Sequence, residues 1–203
     1  MWSKILLKRA IKINLEFEDG KMSRLDPALE RVLVSEEQIQ LRVKELADQI
    51  SQDFKASDRL YIVGILKGAF IFMADLTRKL SIPHVVDFMA LSSYGKTTES
   101  GAVRILMDLR EPIEGQHVLI VEDIVDTGHT LQYLNRILMG RNPASLHTCA
   151  LVRKVRDSVD INVDYLGFDI PDVWVVGYGL DYADRFRTLP YVAELKRDSF
   201  QKE

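Results

Sequence analysis

The sequence predicts an α/β fold, a twisted, mostly parallel sheet flanked by helices. Three observations predict it. Short apolar runs at 60–63, 118–121 and 146–152 read as strands buried on both faces. The first two lead through glycine-bearing turns into apolar residues at helical spacing: Phe72, Met73, Leu76 and Leu80 after one, Leu131, Leu134 and Leu138 after the other. The chain has 203 residues, 47% hydrophobic and 28% charged, enough to bury a sizeable core in one domain.

In chain order, residues 1–27 read as a non-catalytic N-terminal extension and 28–203 as the domain. The first 21 look foreign to the rest: Ile11, Ile13, Leu15 and Phe17 alternate with polar residues up to an Asp19-Gly20 turn. A cleavable signal would need a longer apolar core and a small-residue site. Ser35-Glu36-Glu37-Gln38 fits a capping box, and Ile39, Val43, Leu46, Ala47, Ile50 and Phe54 follow as one face of an amphipathic helix. Two further strands are expected at 85–91 and 103–107. The polar segment between them, 92–101, contains Ser93 and Tyr94 and reads on composition alone as a hairpin loop.

Bulk properties exclude several classes. A net charge of −3 gives no polyanion-binding signal, so nucleic acid is not an expected partner. No stretch approaches the ~20 apolar residues that span a bilayer. No membrane association is therefore expected, and a cytoplasmic location is the default. The single cysteine, Cys149, excludes an internal disulfide and is expected as a packed core thiol.

The segment 117–134, HVLIVEDIVDTGHTLQYL, concentrates the chemistry. Glu122 and Asp123 stand at the carboxyl end of a buried strand, where open α/β sheets bind ligands. A turn, Asp126-Thr127-Gly128-His129-Thr130, then opens a helix near Thr130. The first amides of a helix lack intrahelical partners, and the helix dipole adds partial positive charge. Gly128 permits a tight bend, Thr127 and Thr130 add hydroxyls, and His129 fills the variable slot. This cradle fits a phosphate monoester, while the two acids suit sugar hydroxyls or a magnesium ion. The plain alternative is a helix cap beside solvated acids. A second strand, turn and helix carries Lys67 and Gly68, and two such sites suggest a ligand with phosphates at both ends. Taken alone, Lys67 and Lys154 read as solvated lysines, Trp174 as a core tryptophan and Arg187 as a surface residue.

The run VEDIVDTGHTL, together with DYLGFDIPDVWVVGYGLDY further on, closely resembles the type I phosphoribosyltransferases, nearest the branch that uses hypoxanthine and guanine. The resemblance extends from about Ala28 to Lys196. It implies a small hood built from terminal segments and a non-proline cis peptide between Leu66 and Lys67. It implies magnesium-dependent transfer of phosphoribose from phosphoribosyl pyrophosphate to N9 of a 6-oxopurine. By the same resemblance, Glu122 and Asp123 hold ribose hydroxyls and magnesium, and residues 126–130 hold the 5′-phosphate. Asp126 lies beside purine N7 as catalytic base. Lys67, Gly68 and Arg187 bind pyrophosphate, and Asp181, grouped with the purine-binding residues, holds a second magnesium through water on the pyrophosphate side. Lys154 donates to the exocyclic oxygen, Trp174 stacks on the base and the main chain near Val175 reads its edge. Many relatives have phenylalanine where Trp174 stands. Ser93 and Tyr94 belong to a lid over the substrate. Relatives assemble as dimers or tetramers. Two alternatives stay open: another acceptor such as xanthine or orotate, and a phosphoribosyl pyrophosphate sensor, which would be expected to add a DNA-binding domain or a basic face.

Overall fold

The computed structural model describes residues 25–93, 103–156 and 162–199. The alternating segment at 11–17, and Tyr94 with the rest of the lid up to residue 101, lie outside the described residues. Strand β1 (Leu29–Val34) leads into helix α1 (Glu36–Asp53). The expected capping box is formed: the Gln38 amide donates to Ser35 Oγ at 3.3 Å, and the Ser35 amide donates to Gln38 Oε1 at 2.8 Å. Ile39, Val43, Leu46, Ala47 and Ile50 all point into the core from this helix. Truncating one of them, such as Leu46→Ala, would cost about 2–5 kcal/mol through lost burial and a residual cavity.

The chain continues through β2 (Leu60–Leu66), α2 (Phe70–Thr77), β3 (His84–Ser93), β4 (Val103–Met107), β5 (His117–Val125) and α3 (His129–Met139). It closes with β6 (Ser145–Lys154), β7 (Tyr165–Ile170), β8 (Val175–Val176), β9 (Val192–Leu195) and a short 3₁₀ turn, Arg197–Ser199. Several strands outrun their apolar cores because parallel neighbours keep supplying backbone partners. Gly64 sits inside β2, in register with Phe88 and Val121, so the turn begins at Lys67. The acid pair lies within β5, and Lys154 is the last residue of β6 and not the first beyond it. Helix α2 stops at Thr77, whose hydroxyl donates to the Met73 carbonyl at 2.8 Å, and Leu80 packs from the turn that follows.

The main sheet has the order β4-β3-β2-β5-β6-β7, parallel except for β4 at one edge. From β2 the chain steps outward to β3, and from β5 it steps the other way to β6. The direction of winding therefore reverses between β2 and β5, and the turns after these two strands face one crevice. One face of the sheet packs on α1 and α2; the other packs on α3 through Leu131, Leu134 and Leu138. Cys149 is buried between them, as expected.

A second sheet, β1-β9-β8, is antiparallel and joins segments near both ends of the described chain. This is the hood. Its link to the main body is the turn after β8, where Gly177, Tyr178 and Gly179 all have positive φ, at 101°, 51° and 106°. The Tyr178 hydroxyl donates to Asp75 Oδ2 on α2 at 2.6 Å, and the same carboxylate accepts from Gln40 on α1 and pairs with Arg78. Burial, then the Asp75 hydrogen bond, push the Tyr178 hydroxyl pKa well above the ordinary phenol value. No helix among the described residues is long and apolar enough to cross a membrane.

Candidate active site

The crevice at the β2/β5 reversal collects most of the candidate residues. Glu122 is 6% exposed and Asp123 is half-buried at the end of β5. Loss of hydration and the neighbouring Asp123 charge raise the Glu122 carboxyl well above its usual range. Burial likewise pushes Asp123 up to about 6, with the Ile124 amide and Arg187 pulling the other way. Two acids side by side under this strain take up protons more readily than usual, and a ligand that brings positive charge would favour their ionised forms.

Beyond Val125 the turn folds so that Gly128, with φ 78°, occupies the N-cap position of α3. No side chain caps this helix, so neither Asp126 nor Thr127 is spent on the plain capping role. Thr127, His129 and Thr130 are exposed. A cavity of about 200 Å³ is lined by Glu122, Asp123, Asp126, Thr127, Gly128 and Thr130 among others. A larger trough of about 480 Å³ lies at the hood edge between Glu30, Arg31, Glu194 and Lys196. It gathers surface ion-pairing side chains and none of the candidate groups.

The turn after β2 meets this cavity directly. A β-carbon at Gly68 would overlap the Asp123 carboxylate, and one at Gly179 would overlap the Gly68 carbonyl oxygen. The Leu66–Lys67 peptide is cis. Arg187 donates from Nη1 to the Gly179 carbonyl at 2.8 Å and pairs through Nη2 with Asp181 at 2.7 Å and Asp184 at 3.1 Å. Lys67 reaches the same Asp184 carboxylate at 3.1 Å. Lys67, Gly68, Asp123, Asp181 and Arg187 thus converge, although they come from three separate stretches of chain.

On the other side of the turn, Lys154 is 9% exposed and pairs with Asp126 Oδ2 at 3.2 Å and Asp172 Oδ1 at 3.6 Å. Arg156 pairs with Asp126 Oδ1 at 2.8 Å and Asp172 Oδ1 at 2.7 Å. Trp174, read alone as a core residue, is 55% exposed and stands edge-on to Tyr182, with ring centroids 6.3 Å apart. Val175 turns its side chain into the core and pairs with Glu194 in the β8/β9 ladder. Ser93 ends β3 opposite Val103. Arg156, Asp172 and Asp184 were not anticipated. Arg156 and Asp172 follow Lys154 and precede Trp174 by two residues each, yet nothing in their spacing marks an ion pair 16 residues apart in the chain.

Magnesium takes oxygen ligands, and the buried Glu122 and half-buried Asp123 carboxylates are of the right type, side by side at one end of the cavity. Asp181 offers a third carboxylate, at present engaged by Arg187 and the Asp184 amide. Among the described residues no group of three or more acidic, histidine or cysteine side chains forms a cage without help from a ligand.

Known proteins resemble this chain over most of its length. A hypoxanthine-guanine phosphoribosyltransferase of Dictyostelium discoideum is 52% identical over 176 residues, 84% of this chain and 98% of that protein. A hypoxanthine phosphoribosyltransferase of Escherichia coli strain K12 is 47% identical over 167 residues, 81% of this chain and 94% of that protein. The solved structure of a Trypanosoma cruzi hypoxanthine phosphoribosyl transferase superposes with a TM-score of 0.81 at 43% identity, covering 86% of this chain and 95% of that one. Residues 33–183, which carry the acid pair, the turn at 126–130, Lys154 and Asp181, match the family described as the phosphoribosyl transferase domain. With the crevice, the hood and these relatives in agreement, the chain belongs to the phosphoribosyltransferase family.

Proposed function

We propose that this protein transfers the 5-phosphoribosyl group of phosphoribosyl pyrophosphate to N9 of hypoxanthine or guanine, giving IMP or GMP and pyrophosphate, as a step of purine salvage. One observation supports the reading most: the acid pair and the uncapped turn at 126–130 line one cavity, with Gly68 and the Arg187 charge beside Asp123 at one end and Lys154 paired to Asp126 at the other.

In this reading the 5′-phosphate sits in the turn at 126–130, and Glu122 and Asp123 hold the ribose hydroxyls. The diphosphate lies toward Gly68, Lys67 and Arg187. N9 of the base forms the new bond to C1 as the C1–oxygen bond breaks and its electron pair leaves with pyrophosphate. The proton on N7 passes to Asp126. Positive charge developing at C1 is offset by the acid pair held beside it. Magnesium, held by the diphosphate with Glu122, Asp123 and Asp181, would supply counter-charge for the leaving group. Lys154 has only donors to offer, so it matches the exocyclic oxygen of a 6-oxopurine and leaves the amino group of adenine unmatched. Trp174 provides the flat face for stacking, and the main chain near Val175 reads the purine edge. The segment from Ser93 through Tyr94 closes over the site and keeps water from the reacting ribose. We place the protein in the cytoplasm as a homo-oligomer.

A spectrophotometric assay with phosphoribosyl pyrophosphate, magnesium and each of hypoxanthine, guanine, xanthine and adenine tests the reading. Turnover is expected with the first two bases and not with adenine. Absence of turnover with every base, from folded protein, would overturn it.

A further inference from the structure

Asp126 and Lys154, the acid and the cation assigned to the purine, begin as partners of each other. In the proposed reaction Lys154 must turn to the exocyclic oxygen of the base. Its hydrogen bond to Asp126 Oδ2 is then weakened or lost as the carboxylate is required to meet N7. A carboxylate at the end of a short turn, released at that moment, would swing. A misplacement of about 1 Å costs on the order of 100-fold in rate.

Arg156 stands where it can prevent this. Its Nη2 lies 2.8 Å from Asp126 Oδ1, the oxygen that Lys154 does not hold. The same nitrogen lies 2.7 Å from Asp172 Oδ1 and donates to it. Lys154 approaches that Asp172 oxygen as well, at 3.6 Å. Two cations and two carboxylates therefore alternate around a closed square. Asp126 comes from the turn after β5, Lys154 and Arg156 from the end of β6, and Asp172 from the segment that leads into the hood. Two buried atoms remain without an aligned hydrogen bond, Asp126 Oδ1 and Arg156 Nε. The Arg156 contact to Asp126 is thus an ion pair that leaves hydrogen-bonding capacity on Oδ1 unspent.

We propose that Arg156 is a positioning residue for Asp126: anchored by Asp172, it keeps the carboxylate in place while Lys154 departs to bind the purine. The inference rests on the phosphoribosyl transfer reading and adds to it a residue that touches neither substrate. Asp172 is the outer anchor. Without it the guanidinium has one partner in place of two, and its pull on Asp126 becomes a solvent-exposed contact of little weight.

The test is a double-mutant cycle in kcat, read beside the KM for each substrate. Arg156→Gln is expected to lower kcat by about 10- to 100-fold, with the KM for phosphoribosyl pyrophosphate within about twofold of wild type. In an Asp126→Asn background the same change is expected to alter kcat by less than about twofold, because the group through which it acts is gone. Arg156→Lys, which keeps the charge, should restore part of the loss. Asp172→Asn should give a smaller drop that also vanishes in the Asp126→Asn background. An Arg156→Gln loss that multiplies undiminished with Asp126→Asn overturns the inference. So does an unchanged kcat, or a parallel rise in the KM for phosphoribosyl pyrophosphate. Should Arg156→Gln fail to fold, Asp172→Asn and Arg156→Lys carry the same cycle. A folded wild type without transferase activity overturns the parent reading and this one together; an active wild type insensitive at Arg156 overturns this one alone.

Discussion

Gly179 packs on Gly68 so closely that a β-carbon at 179 would overlap the Gly68 carbonyl oxygen, and Gly68 in turn leaves no room for a β-carbon against the Asp123 carboxylate. The hood turn, the turn after β2 and the acid pair of β5 are thereby stacked in one line. Gly179→Ala would force that stack apart and place alanine at a φ of 106°, a conformation disfavoured by about 1–3 kcal/mol. We expect the KM for phosphoribosyl pyrophosphate to rise by about tenfold or more, with a Tm loss of roughly several degrees. Unchanged steady-state kinetics would mean that the close packing has no part in forming the donor site.

In the proposed reaction Lys154 serves base recognition and not donor recognition. Its contacts are to Asp126 and Asp172, not to the Lys67–Arg187 group. Lys154→Ala should therefore weaken use of hypoxanthine and guanine by about 2 kcal/mol or more, the effect of a lost charged hydrogen bond. Binding of phosphoribosyl pyrophosphate, measured by titration calorimetry, should stay within about threefold. Equal losses for base and donor would contradict the assignment.

Glu122 is expected to cost the ligand-free fold stability. Its buried carboxyl is held well above the ordinary pKa by desolvation and by Asp123, so the ionised form is disfavoured in the folded chain. Glu122→Gln removes that charge and keeps the shape. The ligand-free variant should be more stable than wild type by about 0.5–2 kcal/mol in urea unfolding. Its affinity for the donor should fall, since an amide provides less counter-charge for a magnesium ion and a weaker acceptor for ribose hydroxyls. A variant that is both less stable and unimpaired in binding would refute this trade.

How much could be read in advance depended on how far apart along the chain the cooperating groups lie. Strand, acid pair, turn and helix at 117–134 are contiguous, so local periodicity and turn chemistry were enough to locate the candidate crevice and the strand that leads into it. The capping box at Ser35 is equally local and is formed as expected. Lys67 with Asp184 spans 117 positions, and only the folded chain brings them together. Arg156 lies two residues beyond a predicted one, Lys154, but its meaning comes from Asp126, on a different strand and turn. Trp174 was ambiguous because one residue type serves both cores and stacking faces; its exposure, not its identity, separates the two. The ends of β2, β5 and β6 exceeded expectation since backbone pairing with parallel neighbours leaves no mark on the residues that make it.

Asp87, on β3 and outside the candidate site, is expected to contribute to the acid limb of stability. It is 4% exposed on β3, and its carboxylate accepts from the Tyr61 hydroxyl at 2.7 Å, the Phe88 amide at 2.8 Å and the Arg110 amide at 2.9 Å. Burial pushes its carboxyl upward, but these donors and the Arg110 charge outweigh that and hold it below the ordinary aspartate value. A carboxyl whose pKa is depressed by folding contributes stability above its unfolded value and loses it as pH falls through the folded one. The window therefore lies below about pH 4. Asp87→Asn should be less stable at neutral pH by about 1–3 kcal/mol, because a group that accepted only now presents donors to donors. Between about pH 4 and pH 2 the wild-type urea midpoint should fall more steeply than that of the variant, so that the two curves converge. Parallel curves over that range would show that Asp87 does not couple folding to protonation.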